Sequence, residues 1–451
     1  MNITEALRWL DAHVNLETGV GIPADRRVTA PTLERISQLV QLLGEPQTAY
    51  PVIHLTGTNG KTSVARMTST LLAAAGVSVG TYTSPHLEQV NERISRDTDP
   101  IPDDALAGLV TRIADLEDFL DELPSYFEIL SAAAFDWFSE IAVDAAVVEV
   151  GLGGTWDATN VVDGRVAVIT NVSLDHVQYL GNDRASIATD KSGIIRPGAT
   201  LVLGETDPDL RPIFERREPG AIVLRDRDFG VRGNQLAHGG RLLQLFTQQA
   251  EYRDVFLPLH GAHQADNAVM ALAAAEAFLG TTIGDDIVHR AFASVTSPGR
   301  LEVVGHQPLV LLDGAHNVAG AEALVAALAE EFATGERTYV VGLLREKEPH
   351  EMLEALAVQR AERLVCTRPP SNRALGPDAL ARAAVDLGMA EDAIDIVDDV
   401  GGAVARAVEI TPVDGQVVVS GSLYVVGAAR AALVGDRAGA AVGSGPKSAG
   451  R

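Results

Sequence analysis

The stretch from Val52 to Val64, VIHLTGTNGKTSV, places the strongest constraint on how this chain can fold. Pro51 to Leu55 is predicted to form a short buried strand, and a helix is predicted from about Lys61 to Ala75. The glycine-rich turn between this strand and this helix brings backbone N–H groups, the positive end of the helix dipole and the Lys61 charge to one place. We therefore expect phosphate groups to bind at Gly57, Thr58, Asn59, Gly60, Lys61 and Thr62.

The match to the usual phosphate-loop pattern is incomplete. That pattern has a glycine five residues before Gly60, where this chain has Leu55. An ordinary strand–helix turn is therefore the alternative interpretation. The Thr62 hydroxyl stands where a phosphate-bound Mg²⁺ needs an oxygen ligand, and it is a candidate metal ligand for that reason.

Short apolar strands alternate with helices over the first two thirds of the chain. Predicted strands are VSVGTYTS, DAAVVEV and RVAVITNVS, and helices are predicted over Asp103–Leu123 and Tyr126–Ile141. This alternation predicts an α/β fold with a parallel, doubly wound sheet. The segments shorten from Ala199 to Pro258, where VLRDRDFGVRG, GGRLLQLFTQ and RDVFLPL are predicted to form an antiparallel patch. Asn267 is predicted to begin an apolar helix.

A second alternation follows Ser297-Pro298-Gly299-Arg300 and predicts a smaller Rossmann-like unit. Its strands are expected in PLVLLDG, TYVVGLL, RLVCT, IDIV and QVVVSGS. We therefore predict domains at residues 1–298 and 299–435. A tail rich in alanine, glycine and serine, residues 436–451, is predicted to be disordered.

Composition limits the partners and the compartment. The formal net charge of −25 argues against nucleic acid and anionic membranes as partners. The single cysteine, Cys366, lies in an apolar stretch and is predicted to be a buried strand residue, so no disulfide framework is possible. No signal-peptide pattern or membrane-length apolar run is present in the sequence, and we expect a cytoplasmic protein.

Polar residues follow several of the predicted strands. Because the carboxyl ends of parallel strands meet at one edge, Ser84, Glu149 and His176 are expected to lie near the phosphate loop. Glu149 binds a metal or caps the next turn, and His176 is a ligand or a hydrogen-bonded structural residue. Mg²⁺ prefers few protein oxygens together with water and phosphate oxygens, so Thr62, Ser84 and Glu149 are suitable donors.

Two other motifs have no definite function from their residues alone. Lys191, in ATDKSGIIRPG, would by itself be interpreted as a surface lysine. Asp313-Gly-Ala-His316-Asn317 follows the first strand of the second unit. It forms a tight turn with an asparagine cap, or it holds a nucleotide across a cleft.

The chain resembles the folylpolyglutamate synthases of the Mur ligase superfamily, of the bacterial type that is often also a dihydrofolate synthase. The resemblance covers nearly the whole chain, in family order. It rests on LERISQLVQLLGEPQ, HLTGTNGKTSV, TSPHL, NERI, EVGLGGTWDATN, LDHVQYLGNDRASIATDKSGI, HQADNA, SPGRLE, LDGAHN and SGSLYVVG. It implies a Mur-ligase-like central domain containing the phosphate loop and the folate site, with a smaller C-terminal glutamate ligase domain.

The resemblance also implies a role for each candidate residue. The loop and Lys61 hold the ATP phosphates, and Arg300 and Asp313 act at the phosphates and across the closing cleft. Further matches are Ser84, Glu149 and His176 to Mg²⁺ ligands, Lys191 to a carbamylated lysine, Asn267 and His316 to adenine and ribose contacts, and Phe127 and Asp157 to the pterin site.

Two departures from the family pattern lie close to these sites. The family often has glycine after the loop lysine, where this chain has Thr62. It often has Arg-Leu before the DATN motif, where this chain has Thr155-Trp156. The first change touches the phosphate and metal site, and the second lies near the expected pterin pocket.

The implied reaction is ATP-dependent joining of L-glutamate to a pteroate or folate carboxylate through an acyl phosphate. The expected catalytic residues are Lys61, Lys191, His176 and Arg300. We expect the protein to be a monomer. A peptidoglycan-type Mur ligase is the first alternative, but the phosphate loop begins too early for the extra UDP-sugar domain. A non-catalytic nucleotide-binding module is the second, and it would need no Glu149, His176 and Lys191.

Overall fold

The computed structural model describes residues 1–15, 17 and 32–442. The chain divides into two compact units, Met1–Thr296 and Ser297–Arg451. The expected boundary, at residues 298/299, lies two residues from this division. Among the described residues, no helix is long and apolar enough to cross a membrane.

The first unit is built on an eight-stranded mixed sheet in the order β4-β3-β2-β5-β1-β6-β7-β8. Only β3 and β4 run antiparallel to their neighbours. The central strands are apolar and buried on both faces, as strands of a covered parallel sheet must be. The bounds are β1 Val52–Thr56, β2 Val79–Tyr82, β3 Ile94–Arg96, β4 Asp99–Pro100, β5 Ala145–Glu149, β6 Gly164–Ile169, β7 Thr200–Leu203 and β8 Ala221–Leu224.

Helices cover both faces of this sheet. Several begin at a residue that caps free backbone N–H groups, such as Ser125 before α5, where Ser125 and Glu128 form a capping box. The bounds are α1 Ile3–Asp11, α2 Glu34–Leu42, α3 Lys61–Ala74, α4 Asp103–Ala114, α5 Tyr126–Glu140, α6 Val177–Leu180, α7 Arg184–Lys191, α8 Arg211–Glu215, α9 His263–Leu279 and α10 Asp285–Ala293. Short 3-10 helices span Pro46–Thr48, Val90–Arg93, Glu117–Phe119, Ala158–Val161 and Ser192–Ile194.

A three-stranded antiparallel sheet packs beside the large one. It consists of β9 Gly230–Ala237, β10 Gly240–Phe246 and β11 Glu251–Leu257, in the order β11-β10-β9. Leu243, Leu245 and Val255 of this sheet share a core with α3 and α9. A second core lies on the opposite face, among α1, α2, α4 and α5.

The second unit is a six-stranded sheet in the order β12-β13-β17-β14-β15-β16, with helices packed against it. All neighbours are parallel except β12 and β13. Its strands are β12 Glu302–His306, β13 Leu309–Leu312, β14 Arg337–Val341, β15 Arg363–Cys366, β16 Ile394–Ile396 and β17 Gln416–Ser420. Its helices are α11 Val318–Glu331, α12 Pro349–Ala355, α13 Pro377–Asp386, α14 Val400–Ile410 and α15 Leu423–Val442, with 3-10 helices at Val358–Arg360 and Glu391–Ala393.

The α/β class and the parallel strand alternation are confirmed, and Cys366 is buried on β15 as expected. The predicted antiparallel patch is confirmed as the β9–β10–β11 sheet, although the first two residues of its first segment belong to β8 of the large sheet. Other details were wrong: the helix from Asp103 stops at Ala114, α9 begins at His263, and β12 was missed. These errors share a cause, because strand partners and helix ends are set by packing that a local pattern does not contain.

The first residues of the predicted tail are helical. Helix α15 continues to Val442, beyond Asp436 where the tail was predicted to begin. Residues 443–451 lie outside the described residues, so disorder there stays a prediction.

Candidate active site

The loop between β1 and α3 is shaped by two glycines. Gly57 lies against Thr170 so closely that a Cβ would overlap the threonine hydroxyl oxygen. Gly60 has a φ of +83°, and a Cβ there would come 2.5 Å from the Asn267 side-chain oxygen. Both positions therefore require glycine, and the adenine-contact candidate Asn267 lies beside the phosphate loop.

The residues that follow β6 hold this loop in place. Asn171 accepts a hydrogen bond from the Asn59 backbone N–H at 3.0 Å and donates one to the Asn59 carbonyl at 3.0 Å. The Thr170 hydroxyl donates to the same carbonyl at 2.7 Å. Sequence reasoning missed Thr170 and Asn171, although a polar run directly after a buried strand that neighbours β1 was an available signal.

Two lysines converge on the loop. The Lys61 ammonium donates to the carbonyl oxygens of Gly57 at 3.0 Å and Thr58 at 3.3 Å. Lys191, at the end of α7, donates to the same Gly57 oxygen at 3.0 Å. The geometry therefore concentrates positive charge where the loop pattern predicts phosphate.

Lys191 is not a surface lysine, since only 3% of it is exposed. Burial, and then the positive charge of Lys61, lower the pKa of Lys191 to about 7, although nearby aspartates oppose the shift. Near neutral pH a large fraction of Lys191 therefore carries a free amine, which is the form of lysine that reacts as a nucleophile.

The carboxylate of Glu149 joins the loop to the end of β2. Glu149 accepts a hydrogen bond from the Thr62 hydroxyl at 3.0 Å and one from the Ser84 backbone N–H at 3.4 Å. These contacts bring Thr62 and Ser84, two expected metal ligands, next to the third, the buried carboxylate of Glu149 at the end of β5. Ser84 follows β2 and does not belong to the turn after β5, so this contact does not decide whether Glu149 caps that turn.

His176 lies at the edge of a small cavity beside the lysines. Its Nε2 is 3.9 Å from a carboxylate oxygen of Asp175, and its φ of +49° is unusual for a residue other than glycine. The cavity is lined by Gly57, Thr58, Lys61, Gly151, Leu152, Gly153, Asp175, His176, Leu180 and Lys191. Asp175 was not among the predicted site residues, although it precedes His176 directly.

The donor set fits Mg²⁺ in kind, since hydroxyl and carboxylate oxygens are the ligands that this ion prefers. Within the described ranges, no group of three or more histidine, cysteine or acidic side chains could hold a metal by itself. Any Mg²⁺ here would need phosphate or water oxygens in addition to the protein donors.

Phe127 and Asp157 flank the turn at Gly151 and Leu152. The Phe127 ring lies over Gly151, where a Cβ would come 2.6 Å from the ring. Asp157 accepts hydrogen bonds from the Leu152 N–H at 2.9 Å and from both the N–H and the hydroxyl of Thr159, at 3.0 and 2.5 Å. Burial raises the pKa of Asp157 to about 6, against these hydrogen bonds, which lower it.

The two residues that depart from the family pattern take different positions. The Thr155 hydroxyl donates to the Asp190 carbonyl at 2.8 Å, directly before Lys191. Trp156 is 55% exposed, between the glycine-rich turn and Asp157. Thr155 therefore supports the end of α7, whereas the Trp156 ring remains accessible.

The candidates of the second unit lie around the loop after β13. Asp313 accepts hydrogen bonds from the N–H groups of Leu301 and Ala315, each at 2.9 Å, and His316 Nδ1 lies 2.9 Å from the Gly314 carbonyl oxygen. Arg300 packs against Gly314. Asn317 caps α11 by accepting from the Gly320 N–H. The tight turn with an asparagine cap is therefore present, and a nucleotide role for this loop stays a prediction.

Two family models match the chain. Residues 126–275 match the Mur ligase middle domain, and residues 299–423 match the Mur ligase glutamate ligase domain. A Mycobacterium tuberculosis dihydrofolate synthase/folylpolyglutamate synthase is 42% identical over 89% of both chains. A folylpolyglutamate synthase from Lacticaseibacillus casei is 34% identical over 97% of this chain and all of its own.

Solved structures agree with this assignment. The Mycobacterium tuberculosis folylpolyglutamate synthase complexed with ADP has a TM-score of 0.87 at 39% identity, over 99% of both chains. The Escherichia coli FolC complexed with DHPP and ADP has a TM-score of 0.83 at 27% identity, covering 97% of this chain and 99% of its own. The chain therefore belongs to the dihydrofolate synthase/folylpolyglutamate synthase family of Mur ligases.

Proposed function

We propose that this protein is an ATP-dependent ligase that joins L-glutamate to the carboxylate of dihydropteroate, of a reduced folate, or of both. The observation that carries the proposal is the convergence of Lys61 and Lys191 on the Gly57 carbonyl in a chain of this family. A phosphate-binding module without catalysis would have no need for a second, buried lysine beside its loop.

The chemistry begins with a poor acyl donor. A carboxylate cannot lose oxide, so transfer of the γ-phosphoryl group from ATP first makes an acyl phosphate. The α-amino group of L-glutamate then attacks the acyl carbon, and an amide, ADP and phosphate result. The protein's part is to position the reactants and neutralise charge. In this proposal Lys61 turns from the loop carbonyls to the β- and γ-phosphates.

Thr62, Ser84, Glu149 and His176 would hold Mg²⁺ at the same edge of the sheet. When bound, Mg²⁺ supplies charge neutralisation at the phosphate oxygens. The support for this assignment is the hydrogen bond between the Thr62 hydroxyl and Glu149, together with the position of His176 on the cavity that contains both lysines.

Lys191 is proposed to work as a carbamate. Its amine is poised to react, because burial and Lys61 lower its pKa to about 7. The ammonium first loses one proton, and addition of CO₂ to the resulting neutral amine with loss of a second proton gives a carbamate anion in place of the buried cation. Repulsion between Lys191 and Lys61 then becomes attraction, and an oxygen ligand suited to Mg²⁺ is formed.

The acceptor and nucleotide ends are assigned by position. Phe127 and Asp157 adjoin the Gly151–Leu152 turn of the cavity, and we assign them to the pteroyl substrate. Asn267, beside Gly60, is assigned to the adenosine moiety. Within the second unit, Arg300, Asp313 and His316 are assigned to nucleotide binding from the family resemblance.

The deciding experiment measures ADP and phosphate release by the full chain with ATP and Mg²⁺. Release should require both L-glutamate and either dihydropteroate or tetrahydrofolate, and the product should gain one glutamyl residue by mass. Lys61→Ala should reduce kcat/KM by roughly 100-fold, whereas Lys347→Ala serves as the matched control. Turnover with a UDP-muramoyl substrate, and none with a pteroate, would overturn the proposal.

A further inference from the structure

A second concave site lies in the first unit, at the opposite ends of the strands from the phosphate loop. It is a groove with a volume of about 570 Å³. Its walls are the 3-10 helix before β1, the start of β6 and the loop before β7. The lining residues are Gln47, Thr48, Ala49, Tyr50, Pro51, Asp163, Gly164, Arg165, Arg196, Pro197, Gly198 and Ala199. None of them lines the cavity that contains Lys61 and Lys191.

Two guanidinium groups face this groove. Arg196 is anchored by hydrogen bonds from Nη2 to the carbonyl oxygens of Asn160 at 2.5 Å and Val162 at 2.9 Å. Arg165 lies over the Phe278 ring, with its guanidinium carbon 5.4 Å from the ring centroid. Both charges are therefore held by neutral groups of the protein.

Neither guanidinium has a carboxylate partner within the part of the chain that the structure describes. This is unusual in a chain with 61 acidic and 36 basic residues. Asp163 also lines the groove and removes part of its positive charge, but it forms no ion pair with Arg165 or Arg196. A guanidinium without a carboxylate partner can bind a carboxylate or phosphate group. Arg165 donates no hydrogen bond to a described residue, whereas the Nε and Nη2 of Arg196 already donate to carbonyl oxygens, so Arg165 is the better placed of the two for paired hydrogen bonds.

Gln47 lies on the wall of the groove and is 7% exposed, but its side-chain Oε1 is buried and is therefore not offered to a ligand in the groove. Behind the wall, Gly164 packs against His54, whose pKa burial lowers to about 3, so His54 adds no charge to the groove.

We propose that this groove binds a small organic polyanion that carries carboxylate or phosphate groups. Arg165 and Arg196 pair with its anionic groups. The volume is in the range of small-molecule sites and far exceeds that of a single inorganic ion. The two arginines thus define a ligand site separate from the phosphate loop.

The test is titration calorimetry on the full chain at constant ionic strength, with citrate as the carboxylate probe and pyrophosphate as the phosphate probe. The Lys61→Ala variant serves as the parent protein, so that anions bound at the phosphate loop contribute less heat. At least one probe should bind with a stoichiometry near one. Introducing Arg165→Glu or Arg165→Gln into the Lys61→Ala variant should raise the Kd of that probe about tenfold or more.

Arg232→Glu is the matched control, because Arg232 also lies over a phenylalanine ring, Phe246, but is paired with Glu251. It changes the net charge by the same amount as Arg165→Glu, so equal weakening by both would overturn the proposal. Absence of binding of both probes, or unchanged binding in both Arg165 variants with an unaltered melting temperature, would overturn it as well. The probe that binds identifies a carboxylate or a phosphate site.

Discussion

Lys61 and Lys191 donate hydrogen bonds to one acceptor, the carbonyl oxygen of Gly57, each at 3.0 Å. Two ammonium groups on one oxygen repel each other, and this repulsion contributes to the lowered pKa of Lys191. The chain has only four lysines, and half of them meet at this oxygen. The arrangement favours reaction of one lysine and retention of charge by the other.

The carbamate proposal predicts chemical rescue by small carboxylates. Lys191→Ala should lose most of its glutamate ligation rate, because the oxygen ligand and its negative charge are both lost. Added formate or acetate should restore part of the rate, since either anion fits the space left by the side chain. Initial rates of phosphate release at several anion concentrations measure the effect.

Methylamine provides the control for this rescue. If methylamine restores the rate and formate does not, Lys191 acts as a cation, and the carbamate proposal is wrong. Removal of CO₂ from the buffer should lower the rate of the unsubstituted protein but should leave the Lys191→Ala rate unchanged.

Burial of Lys191 also predicts a pH dependence of stability in CO₂-free buffer. The pKa is about 7 in the folded protein and 10.5 for an ordinary lysine. Between these values the unfolded chain binds more protons, so the free energy of unfolding should rise with pH, by up to about 1.4 kcal/mol per pH unit. Below pH 7 the full cost of the buried charge remains.

Urea unfolding of the unsubstituted protein and of Lys191→Met from pH 6 to pH 9 measures this difference. As the pH rises, the free energy of unfolding of the unsubstituted protein should increase relative to that of Lys191→Met. Lys347→Met, which removes a lysine from the second unit, should follow the unsubstituted protein. Parallel stability curves for all three proteins would contradict the lowered pKa.

The contact between Thr62 and Glu149 predicts an altered metal requirement. Thr62→Val removes the hydroxyl that donates to Glu149 at 3.0 Å and would also bind Mg²⁺. We expect the Mg²⁺ concentration for half-maximal rate to rise about tenfold, because one ligand and its orientation are lost. Thr62→Ser keeps the hydroxyl and should stay within a few-fold of the unsubstituted protein; equal Mg²⁺ dependence of both variants would argue against a metal role for Thr62.

Asp157 predicts a pH effect on the pteroyl substrate. The Thr159 hydroxyl donates to Asp157 and lowers its pKa, which burial raises to about 6. Thr159→Val should raise this pKa further, so Asp157 becomes protonated at a higher pH than in the unsubstituted protein. If the ionised carboxylate binds the substrate, the KM for dihydropteroate rises on acidification, and in Thr159→Val this rise should start at a higher pH.

Steady-state rates from pH 5.5 to pH 8.5 test this shift, with Thr159→Ser as the control that keeps the hydroxyl. The KM for ATP should follow the same pH profile in all three proteins, because the adenosine contacts do not involve Asp157. An unchanged KM profile for dihydropteroate in Thr159→Val would contradict a role for ionised Asp157.

Features that depend on a few neighbouring residues could be predicted from the sequence. The phosphate loop, the strand before it, helix α3 and the α/β alternation follow from glycine placement and apolar periodicity, which act over a few residues. The motifs were enough to indicate the ligase family, because many of them occur in the order that is typical of that family. Thr62, Ser84 and Glu149 were expected together because parallel strands end at one edge.

Which distant side chains meet depends on tertiary packing. The burial of Lys191 against Gly57 and the support of Asn59 by Asn171 appear in no local pattern. Both depend on how α7 and the residues after β6 pack against the phosphate loop. Lys191, which its local sequence would place at the surface, is buried with a lowered pKa, because folding removes its water and places a second charge beside it.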